Sequence, residues 1–193
     1  MSEIKPISAL ILAAGNSKRM GSDKASLPYG NGLTFAGQLI AFYLQSGCSP
    51  ILMVVNERFD TTLYERAGVC FIVNKQVEKG RSFSIWLGLQ NIPETHSCFI
   101  QNIDNPCSDT ALLKEMFNAI RPDIYIVPVF GGRGGHPVLL GSRIIDELRK
   151  KSDIPNLRDA LQEFNKIELQ SSNDHINLNI NTPEAYHKFI KRT

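Results

Sequence analysis

The chain has 193 residues, of which 42% are hydrophobic and 21% are charged, and its formal net charge at pH 7 is +2. That length predicts a single domain, residues 1–193, with enough chain to bury a sizeable core. A net charge so close to zero argues against nucleic acid as a partner, and the absence of any apolar run near the roughly 20 residues of a membrane span argues against a membrane.

The hydrophobic patterns predict strands and helices in alternation. In chain order they give a strand at 7–13, a helix at 33–45, a strand at 51–55, a helix at 61–66, a strand at 69–73, a helix at 81–91, a strand at 98–102, a helix at 109–120, strands at 124–130 and 137–140 around a glycine-rich turn, helices at 144–150 and 157–164, short strands near Ile167 and Ile176, and a helix from Pro183. Ser108 and Thr182 are the expected N-caps, and Trp86 is expected in the core. The alternation predicts an α/β fold with a mostly parallel sheet covered on both faces.

The four cysteines, Cys48, Cys70, Cys98 and Cys107, are widely spaced along the chain. No pair has the short spacing of a zinc or redox motif. We therefore expect reduced, mostly buried thiols in a cytoplasmic protein, and the N-terminus carries no long apolar region of the kind found in a signal peptide.

Two loops are the first candidates for a ligand site, because ligands of open α/β sheets collect beyond the carboxyl ends of the strands. The loop after the first strand belongs to LAAGNSKRMGSDK at 12–24, and the loop after 98–102 begins IDNPC. Gly15 allows a tight turn and a close approach by a ligand, while Lys18, Arg19 and Lys24 add charge suited to phosphate oxygens. The turn matches neither a Walker loop nor GxGxxG. Phosphate binding and an ordinary solvated loop both fit the residues taken alone.

Five segments, in order, resemble the signature of the nucleotidyltransferases that include molybdenum cofactor cytidylyltransferase. They are LAAGNSKRMGSDK at 12–24 with LPYG at 27–30, NKQVEKGRSFSIWLGL at 74–89, IDNPC at 103–107, GGRGGHPVLLGSR at 131–143 and NINTPEAY at 179–186. The first segment is shared with sugar-phosphate and isoprenoid-precursor nucleotidyltransferases. The order of all five makes the resemblance specific.

The resemblance implies a Rossmann-like three-layer α/β/α nucleotidyltransferase fold and attack by an acceptor phosphate on the α-phosphorus of a nucleoside triphosphate, with release of pyrophosphate. An anionic acceptor needs no general base, so positioning and positive charge carry the chemistry. The expected catalytic residues are Arg19, Lys24 and Asp104. The expected nucleotide-binding residues are Leu12, Ala13, Ala14, Gly15, Ser17, Lys18, Arg19, Lys24, Asn74, Gly80, Ser82 and Ser84. Gly135 and His136 are expected on the acceptor side, and Asp104 and Asn181 are expected to bind Mg²⁺, which needs only one or two carboxylates.

Each of these assignments has a structural alternative. Asp104 could instead form a turn before Pro106, and Ser82 and Ser84 could act as helix caps. The glycines around His136 could make only a hairpin turn.

Two of the five segments depart from the family pattern. The closing segment, 179–186, has Asn179 and Asn181 where aspartates are typical, and the serine-rich segment, 74–89, contains the unusual residues Arg81 and Phe83. Arg81 and Phe83 are expected to reshape the base or acceptor pocket. An amide oxygen can coordinate Mg²⁺ but brings no charge, and asparagine serves as a metal ligand in related sugar-phosphate uridylyltransferases.

The resemblance favours CTP as the donor, since guanylyl-transferring relatives tend to have Gly where this chain has Ala14. Molybdopterin cofactor is the expected acceptor, with a molybdoenzyme or its chaperone as a further partner. The asparagines of the closing segment support an alternative, a sugar-phosphate or alditol-phosphate nucleotidyltransferase. A third reading is an inactive nucleotide-binding module that chaperones a cofactor.

Overall fold

The computed structural model describes residues 6–15, 20, 23–30, 32–106, 109–151 and 156–191. The strands in these ranges are β1 (Ile7–Leu12), β2 (Pro28–Gly30), β3 (Leu33–Thr34), β4 (Ile51–Val55), β5 (Val69–Val73), β6 (Ser97–Asn102), β7 (Ile124–Phe130), β8 (Arg133–Gly134), β9 (Val138–Leu140) and β10 (Asn165–Gln170). The α-helices are α1 (Phe35–Gln45), α2 (Gly80–Leu89), α3 (Thr110–Ala119), α4 (Ser142–Lys150), α5 (Leu157–Ala160) and α6 (Pro183–Ile190). Short 3-10 turns lie at Lys24–Ser26, Thr62–Tyr64, Val77–Lys79 and Asp174–Asn177.

The main sheet has the strand order β10-β7-β9-β6-β1-β4-β5, and β8 pairs with β7. Strand β1 runs parallel to both β4 and β6, and β10 runs parallel to β7. Strand β9 is antiparallel to both of its neighbours. The mostly parallel sheet predicted from the apolar runs is therefore confirmed.

Helices cover both faces of the sheet, because alternate residues of each buried strand point to opposite sides. On β1, Ile7, Ala9 and Ile11 join the core under α1, α3 and α6, whereas Leu10 and Leu12 join the core under α2, α4 and α5. The three-layer α/β/α arrangement implied by the resemblance is present.

The strand order reverses at β1, because β4 and β5 are added on one side of β1 and β6 is added on the other side, although β1 and β6 run parallel. The last residues of the two strands, Leu12 and Asn102, are register partners. The Ile103 amide then donates to the Leu12 carbonyl at 3.1 Å. The loops after β1 and β6 therefore leave the sheet side by side, at the point where α/β sheets bind ligands.

Helix α2 approaches β1 closely because Gly88 faces the sheet. A Cβ at Gly88 would lie 2.4 Å from a terminal carbon of Leu10, which is fully buried. This approach brings the first turn of α2 over the carboxyl end of β1.

Several predicted elements are corrected by the structure. The helix expected at 61–66 is only the 3-10 turn Thr62–Tyr64, since too few residues precede β5 to extend a costly helix nucleus. The helix expected at 157–164 ends at Ala160, before the chain turns into β10. The strand expected near Ile176 is a 3-10 turn that buries the Ile176 side chain.

Two predictions about individual residues also need correction, whereas the expectation of mostly buried thiols is confirmed for the described cysteines. Asp109 caps α3 by accepting from the Leu112 amide at 3.0 Å, and the expected cap Ser108 lies outside the described residues, as does Cys107. Trp86 is only partly buried, because its indole nitrogen reaches out to the Lys151 carbonyl at 2.9 Å. Cys48 and Cys98 are buried free thiols, but Cys70 is exposed on the edge strand β5.

Within the described ranges, no helix combines the length and the apolar character that crossing a bilayer requires.

Candidate functional site

A cleft of about 240 Å³ opens at the carboxyl ends of β1 and β6, under the first turn of α2. It is lined by Leu12, Ala14, Gly15, Lys24, Val77, Gly80, Arg81, Ser84, Asn102, Ile103, Asp104 and Asn179. The charged side chains in this lining are Lys24, Arg81 and Asp104. Among the residues that the structure describes, two cations against one anion make the cleft suited to an anionic ligand.

Lys24, Asp104 and Asn181 meet at one wall of the cleft, although they are far apart in the sequence. The Lys24 ammonium donates to the Asn181 side-chain oxygen and lies 3.7 Å from Oδ2 of Asp104. The Lys24 and Asp104 side chains are only 14% and 21% exposed, so water screens this ion pair incompletely. The Ile180 amide donates to the Asp104 carbonyl at 2.8 Å, which joins the closing segment to the loop after β6.

One carboxylate oxygen of Asp104 is available to bind a ligand. Its Oδ1 is buried and has no hydrogen-bond partner among the described residues. A buried carboxylate oxygen without a partner is costly, so it is suited to a ligand that brings positive charge. The described residues contain no cluster of three or more His, Cys, Asp or Glu side chains that could hold a metal. A metal here would therefore take one carboxylate, amide oxygens and water, a donor set that fits Mg²⁺.

Asn105 fixes the closing segment in place from within the protein. Its side chain is 0% exposed, and its Oδ1 accepts from Nε2 of Gln101 at 3.2 Å. Gln101 in turn accepts from the Tyr43 hydroxyl at 3.0 Å. The amide nitrogen of Asn105 contacts three carbonyls, those of His175 at 3.2 Å, Ile176 at 2.9 Å and Leu178 at 2.7 Å. This buried network holds the residues just before Asn179 and Asn181 against the end of β6.

The first turn of α2 forms the opposite wall. Gly80, Arg81 and Ser84 line the cleft, and helix N-termini favour anions because their amide groups lack intrahelical partners. Partial desolvation in the cleft lowers the pKa of Arg81, although the residue remains exposed, and the nearby Asp104 carboxylate partly opposes this shift. Behind this wall, Asn74 is buried and donates to the Ser84 hydroxyl at 2.9 Å. Asn74 thus supports Ser84 rather than lining the cleft.

His136 lies behind Asn102, which lines the floor of the cleft. Its Nε2 accepts from the Asn102 amide nitrogen at 2.9 Å, since an amide nitrogen only donates. Burial, together with the positive charge of Arg81, lowers the pKa of His136 to about 4, so the ring is neutral at pH 7. Next to it, Gly135 packs closely on the turn Asp174–Asn177, which leads into the closing segment. A Cβ at Gly135 would lie 2.5 Å from the Ile176 carbonyl oxygen.

The structure brings seven of the sixteen predicted site residues to the lining of one cleft. Those that line the cleft are Leu12, Ala14, Gly15, Lys24, Gly80, Ser84 and Asp104. Those that lie outside its lining are Ala13, Asn74, Ser82, Gly135, His136 and Asn181. Ser17, Lys18 and Arg19 lie outside the described residues.

Three lining residues of the described part were not foreseen from the sequence, and two more were noted only as unusual. Val77, Asn102 and Ile103 were missed, whereas Arg81 and Asn179 were noted as departures from the family pattern. Asn102 and Ile103 directly precede Asp104 at a strand end, so the carboxyl-end rule could have found them. Phe83, noted together with Arg81, does not line the cleft and stacks on Trp86, with ring centroids 5.7 Å apart.

Comparison with known proteins finds relatives that match over most of the chain. A family model described as the MobA-like NTP transferase domain matches residues 9–169. The molybdenum cofactor cytidylyltransferase of Escherichia coli is 29% identical over 184 residues, which cover 93% of this chain and 93% of that protein.

Solved structures share the fold over nearly the whole chain. Rv0371c of Mycobacterium tuberculosis in complex with manganese has a TM-score of 0.78 at 16% identity, over 98% of this chain and 100% of that one. The 2-C-methyl-D-erythritol 4-phosphate cytidylyltransferase from Thermus thermophilus has a TM-score of 0.74 at 16% identity, over 97% of this chain and 100% of that one.

Proposed function

Because the chain belongs to the MobA-like NTP transferase family, a family of nucleotidyltransferases, we propose that it transfers CMP from CTP to a phosphate of molybdopterin cofactor. An oxygen of the acceptor phosphate attacks the α-phosphorus, the bond to the β-phosphate breaks, and pyrophosphate leaves. We also propose that residues 1–193 act as one domain, since both cores share one sheet. The observation that carries the proposal is the convergence of Gly15, Lys24 and Asp104 in one cleft.

The donor triphosphate fits the side of the cleft formed by the loop after β1. The backbone at Gly15 is open to a ligand, because a Cβ there would meet nothing within 4 Å. Lys24 supplies a point charge on the same wall, where the surroundings screen it little. These residues orient the triphosphate and offset the charge that builds up on the leaving pyrophosphate.

Asp104 is proposed to hold Mg²⁺, with Asn181 as a second oxygen ligand. The buried, unpartnered Oδ1 of Asp104 supports this assignment. A bound divalent ion would polarise the α-phosphate and neutralise the leaving group. The structure of Rv0371c in complex with manganese supports the assignment of a divalent metal to this chain.

The acceptor fits the side formed by α2 and the floor. Arg81 offers a planar group suited to phosphate oxygens. Asn102 is held in a fixed orientation by the neutral His136. His136 and Gly135 thus act on the acceptor through Asn102 and through the closing segment.

The molybdopterin acceptor and the CTP donor rest on the likeness to the Escherichia coli enzyme. An alditol-phosphate acceptor is the second candidate. It is favoured by Asn179 at the cleft, by Asn181 beside Lys24, and by the fold shared with the Thermus thermophilus enzyme.

Two assays test the proposal. Thermal shifts with CTP, GTP, UTP and ATP in the presence of Mg²⁺ report the donor, because a ligand that binds only the native state raises the apparent stability. Pyrophosphate release is then measured with molybdopterin cofactor and with 2-C-methyl-D-erythritol 4-phosphate. We expect the largest shift with CTP and turnover with molybdopterin. Turnover only with the alditol phosphate selects the second candidate, and nucleotide binding without turnover on any acceptor identifies a nucleotide-binding module.

A further inference from the structure

We propose that the Lys24 ammonium acts as a built-in cation that occupies the position between Asp104 and Asn181 and keeps divalent metal out until a nucleotide is present. This inference rests on the proposed metal site. It makes metal binding depend on the nucleotide, and it assigns Lys24 a role before chemistry begins.

The position of the ammonium is the first observation. Nζ of Lys24 contacts the Asn181 side-chain oxygen and lies 3.7 Å from Oδ2 of Asp104. These two side chains are the proposed oxygen ligands of the metal. Lys24 therefore neutralises the carboxylate and engages the amide oxygen that a metal would use.

The Lys24 ammonium and a divalent metal ion would repel each other at this site. A divalent ion bound by Asp104 and Asn181 would lie within a few ångströms of Nζ, where little water screens the repulsion, since Lys24 is only 14% exposed. A metal alone offers the ammonium no compensating anion. Metal binding without a nucleotide therefore carries the cost of displacing Lys24.

A nucleotide triphosphate removes that cost. Gly15, which is proposed to face the triphosphate, lines the same cleft as Lys24, so a triphosphate held there lies beside the lysine. The four-carbon stem of lysine lets the ammonium turn from Asn181 toward phosphate oxygens without moving the backbone. The backbone is meanwhile fixed by the 3-10 turn Lys24–Ser26, which Asp23 caps at 3.1 Å.

The test measures Mn²⁺ affinity by electron paramagnetic resonance with no nucleotide present. We expect Lys24→Met to bind Mn²⁺ at least roughly tenfold more tightly than the wild type, because the repelling charge is gone. Lys24→Arg keeps a cation and should bind as weakly as the wild type. Lys150→Met is the matched control, since Lys150 is exposed on α4 and pairs with Glu147, and it should change nothing.

Two further measurements complete the test. Adding CTP should tighten Mn²⁺ binding by the wild type far more than by Lys24→Met. The double variant Lys24→Met/Asp104→Asn should lose the affinity gained, which places the ion at Asp104. Thermal melting of each variant confirms that it is folded.

Unchanged or weaker Mn²⁺ binding by folded Lys24→Met overturns the inference, as does a gain that survives in the double variant. The outcome is independent of the acceptor. If the wild type turns over no acceptor but Lys24→Met binds Mn²⁺ more tightly, the proposed function fails and the inference stands. If molybdopterin is turned over but Mn²⁺ affinity does not change, the inference fails alone.

Discussion

Replacing Asn105 by alanine should destabilise the protein more than any ordinary surface substitution. The side chain is fully buried, donates to the carbonyls of Ile176 at 2.9 Å and Leu178 at 2.7 Å, and accepts from Gln101 at 3.2 Å. At about 1 kcal/mol for each of three hydrogen bonds, with a further cost for carbonyls left unpaired inside the protein, the loss is about 3–5 kcal/mol. For a chain of this size that corresponds to a fall of roughly 10 °C in Tm.

The measurement is urea unfolding, followed by circular dichroism. Asn105→Asp should be at least as destabilising as Asn105→Ala, because a carboxylate keeps the shape but cannot donate to the carbonyls. Asn91→Ala is the control, since the exposed Asn91 makes one hydrogen bond to Leu87 at 2.9 Å and should lose about 0.5 kcal/mol or less. If Asn105→Ala or Asn105→Asp unfolds within about 1 kcal/mol of the wild type, the network does not hold the closing segment.

Three further predictions concern the cleft. Gly15→Ala should change the free energy of unfolding by no more than about 0.5 kcal/mol, because a Cβ there meets nothing within 4 Å. The same variant should bind CTP roughly tenfold more weakly in calorimetry. Unchanged CTP binding would show that Gly15 is not part of the nucleotide site. Arg81→Gln should raise KM for the acceptor by roughly tenfold while the thermal shift with CTP is kept, and the opposite pattern would place Arg81 on the donor side. The pKa of His136, about 4, lies below its unfolded value, so the neutral ring contributes stability that is complete above pH 6.5 and lost as the pH falls toward 4. Between pH 7 and pH 4.5, the free energy of unfolding of His136→Gln, measured with urea, should therefore fall by about 2–3 kcal/mol less than that of the wild type. The exposed control His187→Gln should show the same fall as the wild type.

The sheet and the position of the cleft could be predicted from local patterns. The apolar runs gave β4, β5 and β7 with their observed ends, and β1 and β6 within one residue. The carboxyl-end rule then selected the two loops that carry Gly15 and Asp104. The family match confirms the resemblance drawn from five segments and the nucleotidyltransferase class. The roles of individual site residues stay predictions.

What the sequence could not show depends on contacts between distant segments. Nothing local in IDNPC indicates that Asn105 rather than Asp104 would be fully buried. Its partners lie about 70 residues further along the chain, and their approach is set by tertiary packing. His136 and Asn74 were predicted to contact a ligand directly, and for the same reason the sequence could not show that they lie outside the lining of the cleft.

Helices were predicted less well where propensity and packing disagreed. The segment 61–66 has a helical pattern, but Gly68 follows it closely, and its φ of +82° turns the chain into β5. The helical pattern at 157–164 continues past the observed helix, but the chain then enters β10, which pairs with β7. In the second case, tertiary pairing overrides a weak local preference.

We propose that the loop after β1 and the carboxylate after β6 bind one metal-bound nucleotide together. The decisive experiment is calorimetric titration of CTP, with and without Mg²⁺, into the wild type and Asp104→Asn. We expect Mg²⁺ to tighten CTP binding to the wild type by roughly tenfold or more and to have no effect on the folded variant. An equal gain from Mg²⁺ in Asp104→Asn would show that Asp104 does not hold the metal.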